Sequence, residues 1–191
     1  MKPSEAVASA VAHAPGALFV SSLGTATSAL RLATDDGPHF YLGGAMGCGL
    51  AVALGVAEAR PERAVVAVVG DGDLAMGAGS LWSLSGLRPS NLLVLVLDDG
   101  RYAITGGQEL VAPDVLAAIV GVLPGIASAR ADSPDDVAEA VRSIRRPGIV
   151  LAEIDDPAWP GPSPFVDPPL VRQRFASYAA GEAAANVRRQ P

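Results

Sequence analysis

The chain has 191 residues, half of them hydrophobic and 18% charged, which supplies a buried core and excludes a disordered chain. Its 14 basic residues against 20 acidic ones leave a net charge of −6, which argues against nucleic acid as a partner, because phosphate backbones demand clustered Lys and Arg. A single cysteine, Cys48, excludes a disulfide framework, an iron–sulfur cluster held by this chain and a Cys-rich zinc site, and points to a reducing cytoplasm.

Residues Met1 to Val20 carry Glu5 and His13 among small residues rather than a solid apolar stretch, so no signal peptide is expected. His13 falls in an Ala-rich helix as a surface or packing residue. A strand follows over Leu18–Ser22 and a helix over Thr25–Ala33. Phe40 to Ala57 is an uncharged run of 18 residues, the length of a membrane span, but it holds five glycines, four of them in its first ten residues. It reads as a loop feeding a buried helix over Leu50–Ala59, not as a membrane segment. His39 stands just before this run and Cys48 within it, the latter read as a small buried hydrophobe.

Ala64–Val69 and Asn91–Leu97 are continuous β-branched and leucine runs without alternation, the pattern of strands covered on both faces of a parallel sheet. A helix over Leu74–Leu87 joins them, with Leu81 and Trp82 read as core. Helices over Asp114–Val120 and Pro134–Arg145 and a strand over Gly148–Ile154 complete the alternation. Ser133 as N-cap, Pro134 at the first position and Asp135 and Asp136 in the first turn mark the start of the second of these helices. The fold class is α/β, a doubly wound, mostly parallel sheet flanked by helices. Residues 1–156 form the domain. Residues 157–191 add a strap, with six prolines between Pro157 and Pro169 and Trp159 as its packing anchor, and a last helix over Leu170–Arg188.

Ligands of open parallel sheets sit at the carboxyl ends of strands. Two successive strands here end in acidic turns, Gly70-Asp71-Gly72-Asp73 and Asp98-Asp99-Gly100, and one intervening helix brings both to the same edge. Mg²⁺ takes one or two carboxylates together with phosphate oxygens, and glycines let backbone approach a phosphate. Asp71 and Asp99 are therefore candidate metal ligands beside a phosphate, with a helix starting near Leu74 aimed at it. Singly, each tripeptide is ordinary turn chemistry; the pair on this topology is the specific signal. No G-x-G-x-x-G opens a helix after an early strand, so a dinucleotide site is not expected.

Gly70-Asp71-Gly72, then 25 residues, then Asp98-Asp99, resembles the motif of thiamine-diphosphate (ThDP) enzymes, GDG followed by a double-Asn or Asp-Asn pair. With the flanks Tyr41-Leu42-Gly43-Gly44-Ala45-Met46-Gly47 and Gly100-Arg101-Tyr102-Ala103-Ile104-Thr105-Gly106-Gly107-Gln108, the chain looks most like the small β subunits of split sulfopyruvate and phosphonopyruvate decarboxylases. The resemblance runs from about Phe19 to Ile154.

The resemblance implies thiamine diphosphate and Mg²⁺ as cofactors. Asp71, Asp99 and the carbonyl of Arg101 would hold the metal. Thr25, Gly72 and Asp73 would meet the diphosphate, and Met46 would wedge under the thiazolium. Gly44 and Met46 would bond the pyrimidine, with Ala45 and Ala103 completing the cofactor contacts. Thr105, Gly106, Gly107 and Gln108 form a candidate substrate loop, weighed equally against a plain turn. Asp99 departs from the family's usual Asn, and Asp73 from the Ser of several relatives, adding negative charge beside a diphosphate. The family's catalytic glutamate lies on a pyrimidine-binding domain. Glu58 and Glu62 read as surface charges, so no catalytic residue is expected on this chain. The implied function is the ThDP-binding subunit of a 2-oxo acid decarboxylase, completed by a pyrimidine-binding α-type subunit of similar size. A carboligase subunit and a non-catalytic cofactor-holding subunit are the alternatives.

Overall fold

The computed structural model describes residues 1–181. Six parallel strands form one sheet: β1 (Leu18–Leu23), β2 (Phe40–Gly43), β3 (Val65–Gly70), β4 (Leu92–Asp98), β7 (Ala127–Ala131) and β8 (Gly148–Glu153), in the order β2-β1-β3-β4-β8-β7. Antiparallel pairing is confined to a small hairpin of β5 (Arg101–Tyr102) and β6 (Gln108–Glu109). The helices are α1 (Pro3–His13), α2 (Thr25–Ala33), α3 (Gly49–Ala59), α4 (Asp71–Met76), α5 (Gly79–Leu87), α6 (Pro113–Val122), α7 (Pro134–Ser143) and α8 (Pro168–Ala179).

Helices cover both faces, so β3 and β4 are buried along nearly their whole length and need no polar alternation. On one face Val66, Val68, Leu93 and Leu95 pack with α1, α2 and α7. On the other Val65, Val69, Leu92 and Val94 pack with α3, α5, α6 and α8. Ser133 caps α7 as its sequence indicates, accepting the Asp136 N–H at 3.2 Å.

Several expectations are corrected. Phe40–Gly43 is a strand, not loop, because β1 supplies it with a parallel partner. β7 goes unread in the sequence: Ala-Ser-Ala-Arg-Ala carries no strand signal and is held as an edge by β8. The expected Leu74–Leu87 helix starts earlier, at Asp71, and breaks between Met76 and Gly79. Trp82 is 68% exposed rather than core, and Trp159 is 48% exposed rather than an anchor. Cys48 is exposed, not buried.

The strap's anchors are polar instead: Ser28 donates to the Pro162 carbonyl and Arg31 to that of Ser163. The last helix begins at Pro168, and the part of it expected beyond residue 181 lies outside the described residues. His13 is exposed, whereas His39 is buried between the rings of Phe19 and Tyr178, which hold it neutral down to a pKa of about 4 by desolvation. Among the described residues, no helix is long and apolar enough to cross a membrane.

Candidate functional site

β3 and β4 pair in register up to Gly70↔Leu97, so the two acidic turns that follow leave the sheet side by side. A small cavity of about 50 Å³, open to solvent, lies on that edge. Its floor is Gly70–Asp73 with Leu97 and Asp99; its walls are Ser22–Ala26, Met46, Arg101–Ile104, and Pro3 with Ile154.

Asp71 is 1% exposed. Its Oδ1 accepts the N–H of Gly72 at 2.6 Å and its Oδ2 accepts that of Gly100 at 2.7 Å. Burial, then the charge of Asp99, push its pKa up to about 7 against the downward pull of those two bonds. No cationic side chain pairs with it among the described residues. A buried carboxylate with a second carboxylate nearby and no cation is a site that a divalent ion would relieve. Asp99 is half-buried and accepts the Arg101 N–H at 3.0 Å. Burial raises the pKa of Asp98 against the pull of Arg130 and of a side-chain hydrogen bond with Asp71; Asp98 lines a separate pocket with Arg130, Asp132, Asp136 and Glu153, whereas Asp99 lines the cavity. Among the described residues no three His, Cys, Asp or Glu side chains group around one point. That donor set suits Mg²⁺, which fills its remaining positions with phosphate, carbonyl and water oxygens.

Asp73 is 5% exposed, with a pKa raised by burial to about 6. Its Oδ1 accepts the N–H of Gly47 at 2.7 Å, and the Gly49 N–H also stabilises the carboxylate. Gly49 needs to be glycine here, since a Cβ would stand 2.7 Å from Val69 Cγ1, 2.9 Å from the other Asp73 oxygen and 3.0 Å from Ser22 Cβ. Gly47, at φ +87°, lies with its carbonyl against Gly77, where any Cβ would overlap that oxygen. This close approach breaks the helix between α4 and α5.

The cavity brings together Thr25, Met46, Asp71, Gly72, Asp73, Asp99, Arg101 and Ala103. Gly44 and Ala45 belong to the same glycine loop but do not line the cavity, and Gly44 is exposed. Thr105, Gly106, Gly107 and Gln108 do not line it either. They close the β5–β6 hairpin on itself, with Thr105 Oγ1 donating to Gln108 Oε1 at 3.1 Å and Gln108 Nε2 to the Thr105 carbonyl at 2.9 Å. Glu58 and Glu62 are exposed and far from the cavity lining, as expected of surface charges.

Sequence reasoning misses Tyr102, Ile104, Pro3 and Ile154. The Tyr102 ring lies over Gly72, where a Cβ would come within 2.7 Å of it. Ile104 presses on Gly24 in the same way, at 2.8 Å. Those two glycines, each just beside a strand end, are the signal that something packs on them.

The family model for the C-terminal TPP-binding domain of thiamine pyrophosphate enzymes matches residues 22–154. A phosphonopyruvate decarboxylase of Streptomyces hygroscopicus is 36% identical over 172 residues, covering 86% of this chain and 42% of that protein. The β subunit of sulfopyruvate decarboxylase from Methanothermobacter thermautotrophicus is 37% identical over 91 residues, 48% of this chain and 49% of that subunit. The chain thus spans less than half the length of the curated relatives it matches. Among solved structures, the 2-oxoglutarate:ferredoxin oxidoreductase of Magnetococcus marinus superposes with a TM-score of 0.61 at 18% identity, over 87% of this chain and 66% of that one. The ThDP-dependent 4-hydroxybenzoylformate decarboxylase of Rhodococcus jostii gives 0.59 at 22%, over 84% and 33%. At those identities they establish the fold alone. The match of the family model over most of the chain identifies it: the chain belongs to the thiamine pyrophosphate enzymes, carries their C-terminal TPP-binding domain and takes thiamine diphosphate as its cofactor.

Proposed function

We propose that this chain is the ThDP- and Mg²⁺-binding part of a decarboxylase acting on a small 2-oxo acid, completed by a pyrimidine-binding α-type subunit. The observation that carries the reading is Asp71, a buried carboxylate fixed by two backbone N–H groups, facing Asp99 and lacking a cation. Asp71, Asp99 and the Arg101 carbonyl would hold the metal. The Thr25 hydroxyl and the Asp73 N–H, which the first turn of α4 leaves without an intrahelical acceptor, would meet the diphosphate. Gly72 takes a different part, since its own N–H is engaged by Asp71. Met46 stands on the cavity wall as the apolar support for the thiazolium, and Gly44 and Ala45 in its loop would face the pyrimidine. Bound there, ThDP would supply the electron sink for loss of CO₂ from the 2-oxo acid.

The split arrangement is supported by the naming of several relatives as β subunits. Among the described residues no glutamate lines this cavity, so the proton transfer to the pyrimidine falls to the partner. A cytoplasmic setting fits the free thiol of Cys48.

The test is native mass spectrometry of the tagged chain, isolated gently from its own host with Mg²⁺ present. A second protein together with the mass of ThDP is expected. A lone homo-oligomer without cofactor, or turnover of 2-oxo acids by the chain alone, overturns the reading.

A further inference from the structure

We propose that the Asp73 side chain positions the glycine loop, and through it Met46, and that its carboxylate is not a diphosphate ligand. This rests on the ThDP reading of the cavity. Three contacts converge on the loop that precedes α3. The Asp73 carboxylate takes the Gly47 N–H at 2.7 Å and is further stabilised by that of Gly49. Gly49 leaves no room for a Cβ beside the second Asp73 oxygen. Gly77 receives the Gly47 carbonyl where no side chain could stand.

The loop is therefore gripped from both ends of α4, by a carboxylate at its first turn and by a bare backbone just past its last residue. Met46, the one loop residue on the cavity wall, is covalently next to the gripped Gly47. The β-carboxylate is engaged by these amides, on a residue only 5% exposed. An anionic side chain would also repel a diphosphate, whereas it is the better acceptor for two backbone donors. A serine at this position is one carboxylate arm shorter and would leave the loop without this grip.

Two readouts separate the possibilities. In the chain alone, hydrogen exchange of the Gly47 and Gly49 amides should quicken at least about tenfold in Asp73→Ala, the equivalent of one lost hydrogen bond, whereas in Asp73→Asn, which keeps one acceptor oxygen, the Gly47 amide should stay near wild type. In the complex with its partner, Asp73→Ala should lower kcat by up to about 10²-fold through misplacement of the loop, while the Kd for ThDP moves less than about threefold. Asp73→Asn should recover most of kcat. Unchanged exchange in Asp73→Ala overturns the grip. A large rise in Kd with kcat preserved overturns the positioning role in favour of a diphosphate contact. Failure of the wild-type complex to bind ThDP removes the proposed function and the Met46 role together, whereas the exchange result tests the grip by itself.

Discussion

The backbone N–H of Gly100 donates to Oδ2 of Asp71 at 2.7 Å, so the turn that ends β4 is fastened to the carboxylate that ends β3. Each acidic turn is held in place by the other, before any metal enters.

Removing that carboxylate should do two things at once. Asp71→Ala loses the proposed metal ligand and orphans the N–H groups of Gly72 and Gly100, each a cost of about 1–3 kcal/mol if it stays buried. Isothermal titration should find no Mg²⁺-dependent ThDP binding. Binding that persists would remove Asp71 from the metal site.

The pH dependence follows from the raised pKa of Asp71. In the folded chain the proton is held up to about pH 7, against an ordinary value of 3.8. The stabilisation is complete below about pH 4 and is lost as pH rises through 7, where a charge stands buried and unpaired. The melting temperature of the unliganded chain should therefore fall less steeply between pH 5 and 8 in Asp71→Asn than in wild type. His39 contributes the opposite slope, present above about pH 6.5 and lost toward 4, but equally in both chains, so it cancels. Equal slopes for the two chains would show that Asp71 keeps its ordinary pKa.

Binding should carry the mirror image of that effect. Because Asp71 must shed its proton to ligate, Mg²⁺ with ThDP should bind more tightly as pH rises from 6 to 8, and should flatten the loss of thermal stability in wild type. Calorimetry in buffers of different ionisation enthalpy would count the released proton; none released below pH 7 would contradict the assignment.

Gly77→Ala should destabilise the chain by about 1–3 kcal/mol, since its Cβ meets the Gly47 backbone rather than a flexible side chain. Gly79→Ala, two residues on in the first turn of α5 with open space around it, should be neutral or stabilising by up to about 1 kcal/mol. Chemical denaturation of the pair checks this, and equal effects would refute the close approach.

Gly72→Ala should be relieved by Tyr102→Ala, because the three atoms nearest the added methyl all belong to that ring. A double-mutant cycle should give a coupling of about 0.5–3 kcal/mol. Additive effects would mean that Tyr102 does not cover the turn.

The parts legible in the sequence were those with a local cause. β3 and β4 announce themselves as unbroken Val and Leu runs, and their acidic ends follow from topology. What stayed hidden has distant causes. The break after Met76 is imposed by a carbonyl 30 residues earlier in the chain, at Gly47, and the partner of Asp73 lies 26 residues away. Trp82 sits in an uncharged helix whose pattern does not distinguish its two sides, and it points outward. Thr105–Gln108 looks like a ligand loop because glycine and polar side chains serve binding and tight turning alike; here they bond to one another.

β2 is one of the two edge strands of the sheet, and its apolar side is roofed by α8, with Phe175 on Phe40 at 5.3 Å and Tyr178 meeting the His39 ring edge-on with Arg63 over its face. None of the residues on the cavity wall comes from that helix. A chain cut before Pro168 would keep every group of the site yet bare a phenylalanine beside an unpaired strand edge, the template on which chains add to one another. α8 thus acts as a guard against self-association, and its loss would register as concentration-dependent light scattering before it registered in cofactor binding.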